Sequence, residues 1–297
     1  MPVITSLTQA QIINISDLPS RIEPQVVLMC PPDYFEVKDV KNAFMEGNLG
    51  KVDFEIAREQ WKELSNTFQR LGKEVCVIKA VKGLEDMVFA ANQALPGLDE
   101  NNKPYVLLSH MRHPSRRQEV PYYQEWFKER GYQILELTES ELLFEGQGDA
   151  IWHPGKKMLW GGYGHRTSLE AYKEIAEKLS VPLVALELHT EEFYHLDTCF
   201  CVLDPKTVLI YSEAFTTKGL ELIHHFFERV IEVTAQDAKN SFACNAHVFD
   251  YKTVVIQRGA VNTVDKLSQA GFEVVEVDTS EFIKSGGSVF CLKMMIY

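Results

Sequence analysis

Three side chains in this sequence could act together on one electrophilic carbon. Cys291 follows the loop Gly286–Ser288, and a thiolate is a strong nucleophile. His195 and Asp197 stand two residues apart at the start of an apolar run that predicts a strand, where side chains i and i+2 leave the same face. An imidazolium beside a thiol lowers the pKa of the thiol and can later deliver a proton. These residues indicate covalent catalysis by cysteine.

Two further carboxylates lie in the segment Phe144-Glu145-Gly146-Gln147-Gly148-Asp149. A carboxylate such as Glu145 behind an imidazole would hold its tautomer and favour its charged form. Additional carboxylates such as Asp149 suit a planar cation, because guanidinium groups pair with carboxylates in a bidentate fashion. The net charge of −12 is compatible with a cationic substrate and argues against a nucleic acid or an anionic membrane surface as the main partner.

A repeat positions these residues. One polar residue precedes each of five predicted strands, and successive members are separated by 57, 48, 48 and 43 residues: Asn92, Asp149, Asp197, Asn245 and Ser288. A period of about 50 residues is typical of repeat architectures. Equivalent positions in a ring point at a common axis and would form a polar pocket there. The alternative is that these residues are turn-formers that cap strands.

The two ends of the chain complete the repeat. The last predicted strand lacks its own hairpin and helix, whereas residues 25–79 supply such elements without a clear opening strand. Joining the ends makes five units. We therefore expect an α/β fold, a five-bladed α/β propeller, with residues 1–297 as one catalytic domain and residues 1–24 as an N-terminal arm.

At this point the sequence resembles the guanidine-modifying enzymes, a family that includes arginine deiminases, dimethylarginine dimethylaminohydrolases and glycine amidinotransferases. The resemblance covers most of the chain from about residue 25. It rests on Phe144–Asp149, on His195–Thr198 and on Gly286–Leu292, in this order and at these distances. The fold of that family, the pentein fold, is the five-bladed α/β propeller, in agreement with the repeat.

The resemblance implies a role for each residue of the three motifs. Cys291 resembles the nucleophile, His195 the general acid/base, and Glu145 the residue that orients or charges the imidazole. Asp197 resembles the guanidinium-binding carboxylate, and we expect Asp149 in the same substrate pocket.

Further substrate contacts come from the resemblance as well. The spacings of Arg112 and Arg166 are similar to those of the arginines that clamp the α-carboxylate in arginine deiminases. A solvated basic loop shared with Arg116 and Arg117 is the alternative for Arg112. Phe89 resembles an aromatic wall beside the guanidinium, and core packing explains it equally well.

One departure from the family pattern bears on the product. Arginine deiminases have an aspartate where this chain has Asn92, and Asn42 is expected to bring a second amide, unless it is a solvated turn residue. A pair of amides resembles the arginine dihydrolase branch known from cyanobacteria, which converts arginine to ornithine, carbon dioxide and two ammonia. We expect no counterpart here of the ornithine-processing domain that such chains often carry.

We therefore expect a cytoplasmic hydrolase of the guanidino group of arginine, without cofactor or metal, that interacts with no nucleic acid or membrane. Arginine deiminase and dimethylarginine dimethylaminohydrolase are alternatives within the class, and a homo-oligomer is left open. Outside the class, the chain could be an inactive propeller that binds an amino acid or a protein. A zinc-dependent amidohydrolase is a third alternative, since Cys199 and Cys201 share a predicted strand face near His195.

Overall fold

The computed structural model describes residues 1–139 and 141–297. Its helices of more than four residues are α1 Phe54–Arg70, α2 Val120–Glu129, α3 Leu169–Leu179, α4 Thr217–Phe226, α5 Ala235–Ser241 and α6 Val261–Gln269. Four-residue helices lie at Leu7–Ala10, Pro114–Arg117, Gly146–Asp149 and Ser280–Ile283. Its strands are β1 Val3–Ile4, β2 Val26–Met29, β3 Glu74–Val77, β4 Ala94–Leu98, β5 Pro104–Leu108, β6 Gln133–Leu135, β7 Ala150–Trp152, β8 Leu159–Tyr163, β9 Leu183–Glu187, β10 Phe200–Asp204, β11 Thr207–Ile210, β12 Arg229–Glu232, β13 His247–Phe249, β14 Thr253–Gln257, β15 Glu273–Val277 and β16 Lys293–Ile296.

These strands form five small sheets in a mixed α/β fold. In each sheet an antiparallel pair is followed by a parallel strand, as in β10–β11–β12 and β13–β14–β15. A helix crosses over to the parallel strand, because parallel neighbours cannot be joined by a tight turn. The helices are amphipathic, and α1 buries Ala57, Leu64 and Phe68 while its other face meets solvent.

One sheet joins the two ends of the chain, as the repeat predicts. Strand β16 pairs antiparallel with β2, with Met294 opposite Leu28, and β2 pairs in parallel with β3. The last strand of the chain therefore opens the unit that residues 26–77 complete. Cys291 lies just before β16, so this pairing fixes its place among the other units.

Residues 1–24 pack along one sheet. Strand β1 adds to β9 as a fourth strand, with Val3 opposite Leu183, and the backbone of Arg21 donates to the carbonyl oxygen of Gly155. Backbone hydrogen bonds thus hold this segment onto the unit built from β7, β8 and β9.

Short helical turns, not strands, carry the site residues in front of the sheets. We expected His195 and Asp197 on a strand, but the strand begins at Phe200 and His195 is the N-cap of the 3₁₀ helix Leu196–Thr198. The hydroxyl of Thr198 donates to the carbonyl oxygen of His195 (2.7 Å), and such local bonds compete with sheet pairing. Asn92 and Asp149 lie in equivalent turns before β4 and β7.

Across the described residues, no helix is long and apolar enough to cross a membrane.

Candidate active site

The loop that carries Cys291 needs two glycines. The φ angle of Gly286 is +82°, and a Cβ there would come within 2.6 Å of the Tyr194 hydroxyl. A Cβ on Gly287 would come within 2.4 Å of the Phe89 ring. Glycine is the residue that accepts both the positive φ and the close approach. The two glycines therefore let the cysteine loop lie directly against the cavity walls.

Asn245 fixes this loop from behind. Its Oδ1 accepts hydrogen bonds from the backbone N–H groups of Ser288, Phe290 and Cys291, at 3.1, 3.1 and 3.2 Å. Its Nδ2 donates to the carbonyl oxygen of Asp197 (3.0 Å) and to Cys291 Sγ (3.2 Å). A fully buried amide with all its bonds made is a rigid support. The position of the thiol is thus set by the side chain of the neighbouring unit.

The thiol of Cys291 donates a hydrogen bond to Asp197 Oδ2 at 3.1 Å. Burial raises the pKa of Asp197 to about 7, although the thiol and Lys293 oppose the rise. Burial, together with the charge of Asp197, raises the pKa of Cys291 well above its ordinary value. The free protein therefore holds a neutral thiol whose proton points at a carboxylate that can accept it.

His195 and Glu145 form the second reactive pair. Nε2 of His195 donates to Glu145 Oε2 at 2.6 Å, and Arg166 Nη1 donates to the same oxygen at 3.2 Å. Burial disfavours an ionised Glu145, but Arg166 and the His195 hydrogen bond outweigh it and hold its pKa below the ordinary value. Burial lowers the pKa of His195 to about 4, against the pull of Glu145. In the free protein the pair is a carboxylate and a neutral imidazole.

The structure differs from expectation at Asp149, which does not line the cavity. Its Oδ2 accepts from the Thr167 hydroxyl (2.6 Å) and its Oδ1 accepts from the backbone N–H of Leu196 (3.0 Å). Burial raises the pKa of Asp149 well above its usual range. Because both oxygens are occupied, Asp149 positions the turn that carries His195 and Asp197 instead of facing a ligand.

Cys291 and His195 face one narrow cavity of about 20 Å³, room for about one water molecule. Asn42, Phe89, Asn92 and Arg166, four of the residues expected to bind substrate, lie in the same wall. Glu145 and Asp197 stand behind it, in contact with His195 and Cys291 respectively. The remaining lining residues are Lys41, Met45, Asp86, Arg116, Tyr194, Ser285 and Gly286.

Asn42 and Asn92 differ in how completely their side-chain amides are hydrogen-bonded. Asn42 caps the 3₁₀ helix Ala43–Met45 with its Oδ1, and its Nδ2 donates to the carbonyl oxygen of Ser285 (3.0 Å). Asn92 accepts from Arg116 Nη1 (2.9 Å) through Oδ1, while its buried Nδ2 has no partner in the described part of the chain. Asn92 thus lines the cavity with one amide donor that makes no hydrogen bond among the described residues.

The sequence reasoning missed three charged residues of the wall. Asp86 is buried, and its Oδ2 lies 3.0 Å from the ammonium of Lys41. Arg116 is also buried and pairs with Glu119 at 3.0 Å, so the solvated basic loop considered as the alternative for Arg112 does not include it. The signal that could have found Asp86 is an acidic pair, Glu85-Asp86, directly before an apolar run.

An outer basin of about 350 Å³ shares four lining residues with the cavity: Lys41, Asn42, Arg166 and Tyr194. Arg166 lines both spaces, and its guanidinium lies 4.5 Å from the centre of the Tyr194 ring. Arg112 lines the basin but not the cavity, and its Nη1 donates to the carbonyl oxygen of His165 at 2.5 Å. The two arginines are thus close to the mouth, beyond the thiol.

The thiols of Cys199 and Cys201 donate to backbone carbonyl oxygens, those of Leu196 and Ala246 among them. Within residues 1–139 and 141–297, no group of three His, Cys, Asp or Glu side chains is arranged to hold a metal ion. In this part of the chain the structure therefore offers no ligand set to the zinc-dependent alternative.

Comparisons with known proteins place the chain in a family of hydrolases. The family model described as N,N dimethylarginine dimethylhydrolase, eukaryotic, matches residues 31–297. The N(G),N(G)-dimethylarginine dimethylaminohydrolase of Mycobacterium tuberculosis is 37% identical, over 94% of this chain and 89% of that protein. The chain therefore belongs to this family of guanidine-modifying enzymes.

Cyanobacterial relatives define the branch. The bifunctional arginine dihydrolase/ornithine cyclodeaminase ArgZ of Synechocystis sp. is 41% identical over 91% of this chain, which spans 37% of the length of that relative. A crystal structure of the N-terminal domain of ArgZ, a cysteine-to-serine mutant bound to substrate, has a TM-score of 0.85 and 40% identity and covers 90% of this chain and 96% of that one. Another structure of that domain, an asparagine-to-serine variant covalently bound to a reaction intermediate, has a TM-score of 0.84.

Proposed function

We propose that this protein hydrolyses the guanidino group of arginine and acts as an arginine dihydrolase. The observation that carries the proposal is the joint placement of the Cys291 thiol and the His195 imidazole on one cavity whose wall also holds the carboxylate of Asp86. A nucleophile, an acid/base and a carboxylate for a planar cation are the groups that guanidine hydrolysis needs. The likeness to a substrate-bound arginine dihydrolase domain supports this choice of substrate.

Arginine would lie with its guanidinium inside and its α-carboxylate outside. The guanidinium would replace the ammonium of Lys41 on Asp86, a charge-for-charge exchange that leaves no buried carboxylate unpaired. The α-carboxylate would meet Arg166 and Arg112 at the outer basin. The cavity must widen for this, because its present volume of about 20 Å³ is smaller than a guanidinium group.

The bound cation also activates the thiol. A positive charge close to Cys291 favours the thiolate and lowers a pKa that is well raised in the free protein. Sulfur then forms a bond to the guanidinium carbon. His195, kept in place by Glu145, takes up the proton released by Cys291 and passes it to the departing nitrogen, the C–N bond breaks, and ammonia leaves a thiouronium adduct.

The second half of the reaction decides the product. Water adds to the thiouronium carbon and gives up a proton to His195. Loss of a second ammonia leaves an S-carbamoyl adduct, and its hydrolysis with another water yields ornithine and carbon dioxide and restores the thiol. Loss of the thiolate instead would yield citrulline. The neutral amide of Asn92 can donate to a urea-like intermediate, which a carboxylate cannot do.

Dimethylarginine is the second candidate substrate, since the matching family model and the Mycobacterium relative carry that name. Its methyl groups would have to fit beside Phe89 and Met45, which line the same narrow cavity. Dimethylamine, instead of ammonia, would be the product released.

We further infer that the five sheets are the blades of a five-bladed α/β propeller, a single catalytic domain over residues 1–297 with residues 1–24 as its arm. The shared connectivity of the sheets and the pairing of β16 with β2 support a closed ring. Further support comes from hydrogen bonds between neighbouring units near the axis, such as those from Asn245 to Asp197 and Cys291.

The test is to incubate the purified protein with arginine and, separately, with asymmetric dimethylarginine, and to measure ammonia and dimethylamine. We expect ammonia from arginine, and loss of that activity in Cys291→Ser. Cys76→Ser is the matched control, since Cys76 is only half-buried and outside the cavity. Turnover of dimethylarginine alone would favour the second candidate, and binding of arginine without turnover would favour an inactive propeller.

A further inference from the structure

Lys293 is a buried lysine directly behind the nucleophile. It opens β16, two residues after Cys291, and its relative exposure is 0%. In the described part of the chain, its ammonium has neither a hydrogen-bond partner nor a carboxylate within 4.0 Å. The ammonium lies 3.4 Å from the centre of the Phe290 ring. Buried lysines without a partner are rare because the cost of desolvation is high, so this one calls for a function.

The groups that face this ammonium come from four neighbouring segments. They are Asp197 on the 3₁₀ helix Leu196–Thr198, Cys201 on β10, His247 on β13, and Cys291 itself. The two cysteine thiols are neutral because burial raises their pKa, and burial lowers the pKa of His247 so that it is neutral too. Asp197 is therefore the group among these four that can carry the opposite charge.

Asp197 contacts the thiol and attracts the lysine. Its Oδ2 accepts the proton of Cys291 Sγ, whereas its buried Oδ1 has no partner among the described residues. Asp197 and Lys293 thus each have one buried, unpartnered polar atom, and the two groups attract each other electrostatically. Coulomb attraction of this kind is stronger in a buried site than in water.

We propose that Lys293 is a positioning residue for the nucleophile, and that its buried ammonium stabilises by Coulomb attraction the negative charge that Cys291 acquires on ionisation. The S–H bond of Cys291 breaks, the proton passes by way of Asp197 Oδ2 to water, and the electron pair remains on sulfur. Lys293 stays protonated and forms no bond. This inference rests on the proposed role of Cys291 as nucleophile.

The titration of the two groups agrees with this geometry. Burial lowers the pKa of Lys293 to about 7, and burial raises that of Asp197 to about 7. The ammonium therefore predominates below pH 7 and the carboxylate above it. As pH rises through 7, Lys293 loses its charge and its support of the thiolate disappears. Alkylation of Cys291 should then rise with pH less steeply than the titration of an isolated thiol.

The test measures the rate at which iodoacetamide alkylates Cys291 in the free protein between pH 6 and 9, by mass spectrometry of the peptide that contains it. Lys293→Met removes the charge at similar length, and Lys293→Arg keeps it. A cavity of about 110 Å³ beside Lys293 leaves room for the longer side chain. Lys73→Met is the matched control, because Lys73 is also buried beside an aromatic ring but pairs with Asp250 at 3.0 Å.

In Lys293→Met we expect alkylation at pH 6.5 to be about tenfold slower, which is one unit in the pKa of the thiol. We also expect a higher Tm, since a buried unpaired charge is removed. Lys293→Arg should react at least as fast as the wild type at pH 8.5, and Lys73→Met should keep the wild-type profile whatever its stability. If Lys293 were merely structural, Lys293→Met would have a lower Tm and an unchanged rate of Cys291 alkylation.

An alkylation profile of folded Lys293→Met that matches the wild type would overturn the proposal. If that variant does not fold, the same measurement is made on Lys293→Gln and on the wild type. A wild-type alkylation rate that rises with pH as steeply as the titration of an isolated thiol would contradict the proposal. The assay contains no arginine. A lysine-dependent thiol in a protein that does not turn over arginine would therefore refute the proposed function and leave this inference standing.

Discussion

The amide of Asn245 holds Cys291 through two contacts, accepting its backbone N–H at 3.2 Å and donating to its sulfur at 3.2 Å. The thiol is therefore oriented by a side chain 46 residues away in the sequence. The same amide donates to the backbone of Asp197. The nucleophile and the carboxylate that receives its proton are thus positioned by one group.

Asn245→Asp tests this support. The change keeps the acceptor oxygen but replaces the Nδ2 donor by a second oxygen, which brings negative charge beside the thiol and repels a thiolate. We expect alkylation of Cys291 and turnover of arginine to fall about 100-fold or more, or roughly 3 kcal/mol. Asn14→Asp, at an exposed turn, is the control and should change neither rate. Equal alkylation rates in Asn245→Asp and wild type would show that the amide does not tune the thiol.

Lys41 and Asp86 provide a test of where the guanidinium binds. If arginine displaces the Lys41 ammonium, then Lys41→Met leaves Asp86 buried and unpaired until arginine arrives. In a Cys291→Ser background, which prevents turnover, we expect a lower Tm without arginine and a larger rise in Tm on adding it than in Cys291→Ser alone. Lys51→Met, at an exposed position, should leave both values unchanged. An equal or smaller rise would place the guanidinium away from Asp86.

We expect the side-chain amides of Asn92 and Asn42 to determine which product forms. Asn92→Asp would pair with Arg116 and lose the free Nδ2 donor, so it should shift the product from ornithine towards citrulline. Asn42→Asp should shift it in the same direction, since Asn42 also lines the cavity and the change removes its amide donor. The ratio of citrulline to ornithine, measured by mass spectrometry, is the readout, with Asn101→Asp in an exposed turn as control. An unchanged ornithine yield in both variants would remove this explanation.

A buried histidine outside the site predicts the response to acid. Burial, with Arg21 and Lys156 nearby, lowers the pKa of His153 to about 4, below the ordinary 6.5. Between these values the unfolded chain binds a proton that the folded protein does not bind. The free energy of unfolding should therefore fall as pH drops from 6.5 to 4, by up to about 3 kcal/mol from this residue, and change little further below.

His153→Phe should make that dependence shallower in urea titrations at pH 4 to 7, although it costs a constant amount because Trp160 Nε1 loses its acceptor. His224→Gln, at an exposed position, should keep the wild-type slope. A slope that is the same in His153→Phe would mean that His153 is already protonated at pH 6.

The residues that the sequence could identify are those in local motifs. Cys291 in its glycine loop and His195 in its turn stand out by residue type and spacing, and the structure brings both to one cavity. The pairing of the last strand with residues 26–29 followed from the missing elements at the two ends. Such inferences need only the local residue pattern and the number of repeated units in the chain.

Residues whose function depends on burial could not be identified from the sequence. Arg116 reads as part of a basic loop, and only the packing of residues 114–129 brings Glu119 against it. Asp149 shares a motif with Glu145, yet the short helix Gly146–Asp149 turns its carboxylate towards Thr167 and the Leu196 N–H instead of the cavity. Side-chain direction at a turn is set by tertiary contacts, which residue spacing does not encode.

The most direct test of the central claim is the stoichiometry of arginine turnover. Purified protein is given arginine labelled with ¹³C at the guanidino carbon, and ornithine, citrulline, ammonia and labelled carbon dioxide are measured together, with Cys291→Ser in parallel. We expect two ammonia and one labelled carbon dioxide for each ornithine, and none of these products from Cys291→Ser. Citrulline with one ammonia, or turnover that persists in Cys291→Ser, would contradict this expectation.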